Sequence, residues 1–237
     1  MIVDIALFSD THTYHNQVIL PDCDIAIFVG DMSDRGDRTQ VYEFMNWFNK
    51  QHQATHKIVV AGNHDLCFDP DKMYGKTPEW LDDDMNHHTN LIYLCNSGVN
   101  LFGLNIWGSP VTPDFFPEYW AFNKPRGEKI REIWNKIPEN TDILAVHGPA
   151  RGLLDYVQPR DLRFESIYPV GNVGCVDLKD KILTLTQLKL MAVGHIHENN
   201  AVIDVDAGNR KFKYANVACC DHHNNFRQQP ALVTLNL

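Results

Sequence analysis

The chain has 237 residues, 44% of them hydrophobic and 22% charged, which is enough apolar material for a sizeable core and too much for a disordered chain. Its formal net charge of -9 argues against a general nucleic-acid binder, because such binding rests on Lys and Arg neutralising phosphates; a phosphate-handling site here needs a local source of positive charge. MIVDIALFSD has no basic region and Asp4 interrupts its apolar run, and no segment is apolar for long enough to cross a bilayer, so neither a signal peptide nor membrane association is expected. The six cysteines form no CxxC pair, so buried, reduced thiols in a cytoplasmic protein are expected.

In chain order, IVDIALF and CDIAIFVG read as short buried strands, each ending in a turn of Gly, Ser or Asp. TQVYEFMNWFNKQ places Val41, Phe44, Met45 and Phe48 at helical spacing. HKIVVAG is a third buried strand. Leu91 to Leu94 and Val99 to Trp107 read as strands around an Asn96-Ser97-Gly98 turn. Pro110 to Arg126 is rich in Pro and aromatics and reads as an ordered loop able to wall a pocket. Gly127 to Lys136 reads as a helix, TDILAVHG as a strand, Val176 to Leu188 as a helix and LKLMAVGH as a strand. Lys211 to Val217 and Ala231 to Leu237 are strand-like. Strands alternate with helices early and hairpins follow, which predicts an α/β protein with mixed sheets. No linker, repeat or low-complexity stretch appears, so residues 1–237 are expected to form one domain.

The strand ends share a chemistry. They deliver Asp10 and His12, then Asp31, then Asn63 and His64, then His147, then His195 and His197, mostly beside a Gly or Ser. Ligand sites in open α/β sheets form at the carboxyl ends of strands. Two carboxylates, one amide oxygen and four imidazoles are too many ligands for one ion and suit two. Mixed N and O donors without thiolate favour Mn, Fe or Zn. Two ions about 3.5–4 Å apart need a bridging ligand, and an aspartate can bridge.

In this order, DxH, GDxx, GNH[DE], an isolated H and GHxH resemble the calcineurin-like metallophosphoesterase superfamily, over residues 10 to 197. The stretches GSPVTPDFFPEYWAFNKPRGEKIREIWNKIPENTDILAVHGPARGLLD, NVGCVDL, VGHIHE and the final YANVACCDHHNNFRQQPALVTLNL resemble the MPPED (metallophosphoesterase-domain-containing) branch, so the likeness spans nearly the whole chain. HGPA at His147 to Ala150 departs from that branch's HGPP, which is expected to alter a loop and not the chemistry.

The resemblance implies a four-layer α/β/β/α sandwich of two mixed sheets, with the site at the carboxyl ends of the strands. It implies Asp10, His12, Asp31 and His197 on one metal and Asp31, Asn63, His147 and His195 on the other, with Asp31 bridging. His64 would contact the substrate phosphate beside Asn63, stabilising its oxygens or protonating the leaving oxygen. A hydroxide held between the metals would attack phosphorus. Two divalent ions against two ligand carboxylates leave the site positive inside an acidic chain. The implied substrate is a small phosphodiester, cyclic nucleotides included.

GDMSDRG also matches a phosphoprotein phosphatase signature, in which Asp34 would orient His64 and Arg35 would grip phosphate; a solvated ion pair is the plainer reading. Asp65 is an equal candidate for orienting His64. Glu198 reads as a support or cap, His222 and His223 as loop histidines, and Arg126 and Arg151 as surface cations that could reach a pocket. Two other functions stand beside the diesterase: a phosphatase-like monoesterase, and a metal- or nucleotide-binding scaffold with little turnover. The complete GHxH pair favours an enzyme.

Overall fold

The computed structural model describes residues 1–73, 76, 78–79, 81, 90–115, 118–159, 170–208 and 210–237. A five-stranded sheet is formed by β1 (Ile2–Phe8), β2 (Cys23–Val29), β3 (Ala54–Val60), β4 (Leu91–Tyr93) and β15 (Ala231–Asn236), in the order β15-β1-β2-β3-β4. A six-stranded sheet is formed by β5 (Ser97–Leu101), β6 (Leu104–Ser109), β9 (Ile143–Val146), β12 (Leu190–Val193), β13 (Ala201–Asp206) and β14 (Lys211–Asn216), in the order β13-β14-β12-β9-β6-β5. Both sheets are parallel at the centre; the first carries one antiparallel edge strand, β15, and the second carries antiparallel strands at both edges, β13 and β5. The short pairs β7 (Thr112–Pro113) with β8 (Asn123–Lys124) and β10 (Tyr156–Val157) with β11 (Gly171–Asn172) lie in the connections.

Strand alternation builds the layers. Ile5, Leu7, Ile25, Ile27 and Val60 of the first sheet share one buried cluster with Ile106, Ile143, Leu190 and Ala192 of the second. The opposite face of the first sheet presents Phe8 and Phe28 to α1 (Arg38–Asn49), where Phe8 packs on Phe48 at 5.3 Å between ring centroids and Phe28 on Phe44 at 4.3 Å. Asp37 caps α1 by accepting from Thr39 N and Gln40 N. Leu144, Val146, Met191 and Val193 are buried with Trp134 of α2 (Glu128–Trp134) and Leu178 and Ile182 of α3 (Val176–Thr184). The result is the four-layer arrangement of helices on two facing sheets.

The structure departs from the sequence expectations at three places. The hairpin turn falls at Phe102-Gly103, not at Asn96 to Gly98, where Ser97 already begins β5. Phe102 and Gly103 both have positive φ (55° and 81°), as a two-residue hairpin turn requires, but the Phe sits inside an apolar run and masks the turn. The strand β13 was not anticipated; its residues are alternately half-buried and exposed, as befits an edge strand carrying Asp204 and Asp206. The helix after Val176 ends at Thr184, short of Leu188.

Candidate metal centre

The parallel strands of both sheets point their carboxyl ends at one spot. Asp10 and His12 follow β1, Asp31 follows β2, Asn63 and His64 follow β3, His147 follows β9, and His195 and His197 follow β12. The sheets are joined there by backbone bonds from Ser9 N to Val217 O (3.0 Å) and Cys219 N to Ser9 O (2.9 Å). Asp10, His12, Asp31, Asn63 and His147 are all at most 2% exposed, while His195 and His197 are partly buried.

The local backbone is strained. Asp10, His12, Asp31 and His195 have φ of 51°, 38°, 61° and 68°, a region that costs a side-chain-bearing residue about 1–3 kcal/mol. The strand-end glycines make room for the carboxylates. A Cβ on Gly62 would lie 2.1 Å from Asp31 Oδ1, and one on Gly194 would lie 2.2 Å from Asp10 Oδ2. The glycines of the GNH and GHxH motifs are thus required by close approach.

Three triads bring donor atoms within 4.8 Å of one another: Asp10, His12 and His197; Asp31, His147 and His195; and His12, Asp31 and His64. The first two fall in the separate halves expected from the sequence. Asn63 joins the second half, its Oδ1 lying 2.9 Å from His147 Nε2. Asp31 lies between the halves, with Oδ2 3.3 Å from His147 Nε2 and 3.9 Å from His12 Nε2.

The hydrogen bonds test whether these residues fit a cation. His147 Nδ1 donates to Val29 O (2.8 Å) and His197 Nδ1 donates to Asp221 O (2.8 Å). In a neutral ring each Nε2 then presents a lone pair, yet His147 Nε2 faces Asp31 Oδ2 and His197 Nε2 faces Asp10 Oδ1 at 3.2 Å. Lone pairs opposed at such distances repel, so a proton or a cation belongs between them. The electrostatics of these groups point the same way. Burial pulls His147 down, but the adjacent Asp31 and then Asp10 outweigh it and lift the imidazole to about 9. Burial opposes ionisation of Asp10, yet His197 and His147 hold it below the usual carboxylate range. Burial and His147 drive His195 down to about 3, leaving a neutral ring with a lone pair to give. The donor set fits two divalent ions.

His64 is placed differently. Its backbone N donates to Asp31 Oδ1 (2.8 Å), and its ring Nδ1 donates to the backbone carbonyl of Asp34 (2.8 Å). Neither candidate carboxylate orients it. The Asp34 side chain turns toward His12, 3.7 Å from Nδ1. Asp65 instead organises the turns, accepting from Gly62 N (2.8 Å), Asp31 N (3.0 Å), Ser33 N (3.0 Å) and Ser33 Oγ (2.7 Å); burial and then Asp31 still push its carboxyl up to about 6. Arg35 is exposed and lies 5.9 Å from the Trp120 ring centroid.

A cavity of about 650 Å³ opens over the centre, lined by Asp31, Asn63, His64, His195 and His197 on one side. The other side includes Phe115 and Trp120 from the Pro110–Arg126 loop, with Val157, Arg126 and His222. The loop walls the cavity, as its composition suggested. Arg126 is an exposed cation that does reach the cavity, donating to Val173 O (2.6 Å) and Gly174 O (2.9 Å), whereas Arg151 is exposed and outside the lining. His222 and His223 are exposed loop residues, and His222 reaches the cavity. At the HGPA departure, Ala150 N donates to the buried Tyr214 hydroxyl (2.9 Å), a bond a proline could not make. Trp120 was not foreseen; nothing set it apart from the other aromatics of its loop.

A family model described as calcineurin-like phosphoesterase matches residues 3–199. The chain belongs to the calcineurin-like phosphoesterases. Within this family of metal-dependent phosphoester hydrolases, it is 36% identical over 209 residues to metallophosphoesterase domain-containing protein 1 of Homo sapiens, covering 82% of this chain and 60% of that protein. The chain therefore spans 60% of that relative's length, less than two thirds. A UPF0046 protein of Caenorhabditis elegans is 32% identical over 232 residues, covering 95% of this chain and 73% of the relative. Among solved structures, the phosphopantetheinyl hydrolase of Mycobacterium tuberculosis superposes with a TM-score of 0.55 at 15% identity, over 93% of this chain and 90% of that one, a likeness of fold.

Proposed function

We propose that the chain is a dinuclear metal-dependent phosphodiesterase acting on small phosphodiesters, cyclic nucleotides among them. The observation that carries the reading is the confrontation of His147 with Asp31 and of His197 with Asp10, in two adjacent halves with Asp31 between them. Asp10, His12, Asp31 and His197 would hold one ion, and Asp31, Asn63, His147 and His195 the other, from the group Mn, Fe and Zn. When bound, the ions supply Lewis-acid charge for the phosphate oxygens and a water acidified toward neutral pH.

The protein's own groups do the rest. Asp31 fixes His64 through its backbone N–H, placing the imidazole at the cavity floor. Because Nδ1–H is committed to the Asp34 carbonyl, Nε2 donates a proton to a leaving oxygen when the ring is doubly protonated. Burial pulls His64 down, and an anionic phosphate beside it opposes that shift. A diester fits this arrangement better than a monoester dianion. Among the described residues the single arginine lining the cavity is Arg126, already tied to two carbonyls, and Arg35 lies outside the lining. Val157 and Phe115 offer an apolar wall for ester substituents. The six free cysteines suit a reducing, cytoplasmic setting.

The test uses protein purified with Mn²⁺ and assayed on bis-(p-nitrophenyl) phosphate, p-nitrophenyl phosphate and cyclic nucleotides. Diester hydrolysis above monoester hydrolysis is expected, and His64→Ala should keep its metal content while losing roughly 10²–10⁴ in turnover. Preference for the monoester would favour the phosphatase reading. Absence of hydrolysis of any of them with two ions bound would favour a scaffold.

A further inference from the structure

Among the described residues His64 has one side-chain hydrogen bond, from Nδ1 to the Asp34 carbonyl, and that bond fixes one ring atom while leaving the ring plane free to swing about it. Packing removes that freedom. The Trp120 indole lies against the imidazole, with ring centroids 4.1 Å apart and planes tilted by 32°. The His12 ring meets it edge-on at 4.7 Å and 82°. Between them the two rings hold the plane in which Nε2 lies.

Trp120 is itself held to the turn that carries His64. The next residue, Ala121, donates its backbone N–H to Asn63 O (3.0 Å), and Phe122 donates to Asp69 Oδ2 (2.7 Å). The Arg35 guanidinium lies 5.9 Å from the centroid of the same indole. The residues after the indole are therefore tied to the Asn63-His64 turn. We propose that Trp120 is a positioning residue for His64, setting the ring plane from which Nε2 reaches the leaving oxygen. The proposal rests on the phosphodiesterase reading above. Its rival is that Trp120, which also lines the cavity, stacks on the substrate.

The experiment is a double-mutant cycle on the Mn²⁺-loaded protein. Wild type, Trp120→Ala, Trp120→Phe, His64→Ala and the His64→Ala/Trp120→Ala double variant are assayed on bis-(p-nitrophenyl) phosphate and diphenyl phosphate, with metal content measured for each. Phenolate is the poorer leaving group and needs its proton more. Trp120→Ala should lower kcat on diphenyl phosphate about tenfold and on the p-nitrophenyl ester less, with KM within about twofold. Added to His64→Ala it should change nothing further, because the group it positions is gone. Trp120→Phe keeps an aromatic face and should restore most of the loss.

A rise in KM with kcat unchanged, or effects that multiply in the double variant, would establish substrate stacking and overturn the proposal. Loss of metal in Trp120→Ala would show that the indole supports Asn63 and would overturn it equally. Wild-type kinetics in Trp120→Ala would sink this inference alone. A wild type that hydrolyses neither diester would sink the phosphodiesterase reading and this inference with it.

Discussion

The two sides of the cavity are held by different means. On the metal side every side chain stands at the end of a buried strand, the backbone is strained at four positions, and the His147 and His197 rings are pinned to carbonyls. The opposite wall is made of connections, the Pro110–Arg126 loop and the segments around Val157, Val173 and His222, and side-chain to backbone bonds hold them to one another. The first construction allows little displacement without loss of the donor geometry. The second can change its residues and leave the first intact. Such a division lets one metal platform serve different substrates, with reaction class set by strand ends and selectivity by loops.

Strand-end positions should tolerate change least. Asp31→Asn removes the carboxylate shared by both halves and should cost on the order of a thousandfold in turnover, with bound metal falling to one ion or fewer per chain by elemental analysis. Activity within tenfold of wild type with two ions retained would show that Asp31 is not shared. Next comes Asp65, which touches no proposed ligand's metal-facing atom but accepts from Gly62, Asp31 and Ser33. Asp65→Ala strands several buried N–H groups and should destabilise the fold by about 2–4 kcal/mol, with loss of metal affinity following from the misplaced Asp31 turn. Denaturant unfolding measures the first effect and metal titration the second. Unchanged metal affinity in a destabilised variant would separate the turn from the site.

The same contrast explains what could be read in the sequence. The metal side was legible because its chemistry restricts residue type and its spacing follows strand ends; Gly62 and Gly194 stand beside Asn63 and His195 because a side chain there would collide with Asp31 or Asp10. The two-sheet fold was legible for a related reason, since Ile25, Ile27, Ile143 and Leu190 sit in buried strands whose run of apolar residues has few other readings. The wall was legible as a wall but not residue by residue. Trp120 and Arg126 act through contacts with segments far along the chain, and their loop has no periodicity to say which way a side chain turns. Asp65 is one of two sequence candidates to orient His64, whereas its bonds run mainly to backbone N–H groups, which sequence does not display. The Phe102-Gly103 turn and the β13 edge strand were missed because their local signals, a Phe in an apolar run and an alternation with acidic residues, compete with stronger neighbours.

The smallest effect gives the sharpest test of the division. Arg126 joins two segments of the opposite wall, donating from the end of the Pro110–Arg126 loop to Val173 O and Gly174 O. Other bonds hold the same segments: Gly174 N donates to Asp155 Oδ2 (2.8 Å), Gly127 N to Asp177 Oδ2 (3.2 Å), and Arg131 binds Asp177. Arg126→Ala should therefore release the wall locally without unfolding it. KM for a diester is expected to rise about tenfold, equivalent to about 1.4 kcal/mol, with kcat within twofold and metal content unchanged. A parallel fall in kcat with metal loss would mean that the wall and the strand ends move as one body, and selectivity could then not be altered in the loops without cost to the centre. A change confined to KM would place the guanidinium among the residues that choose the substrate.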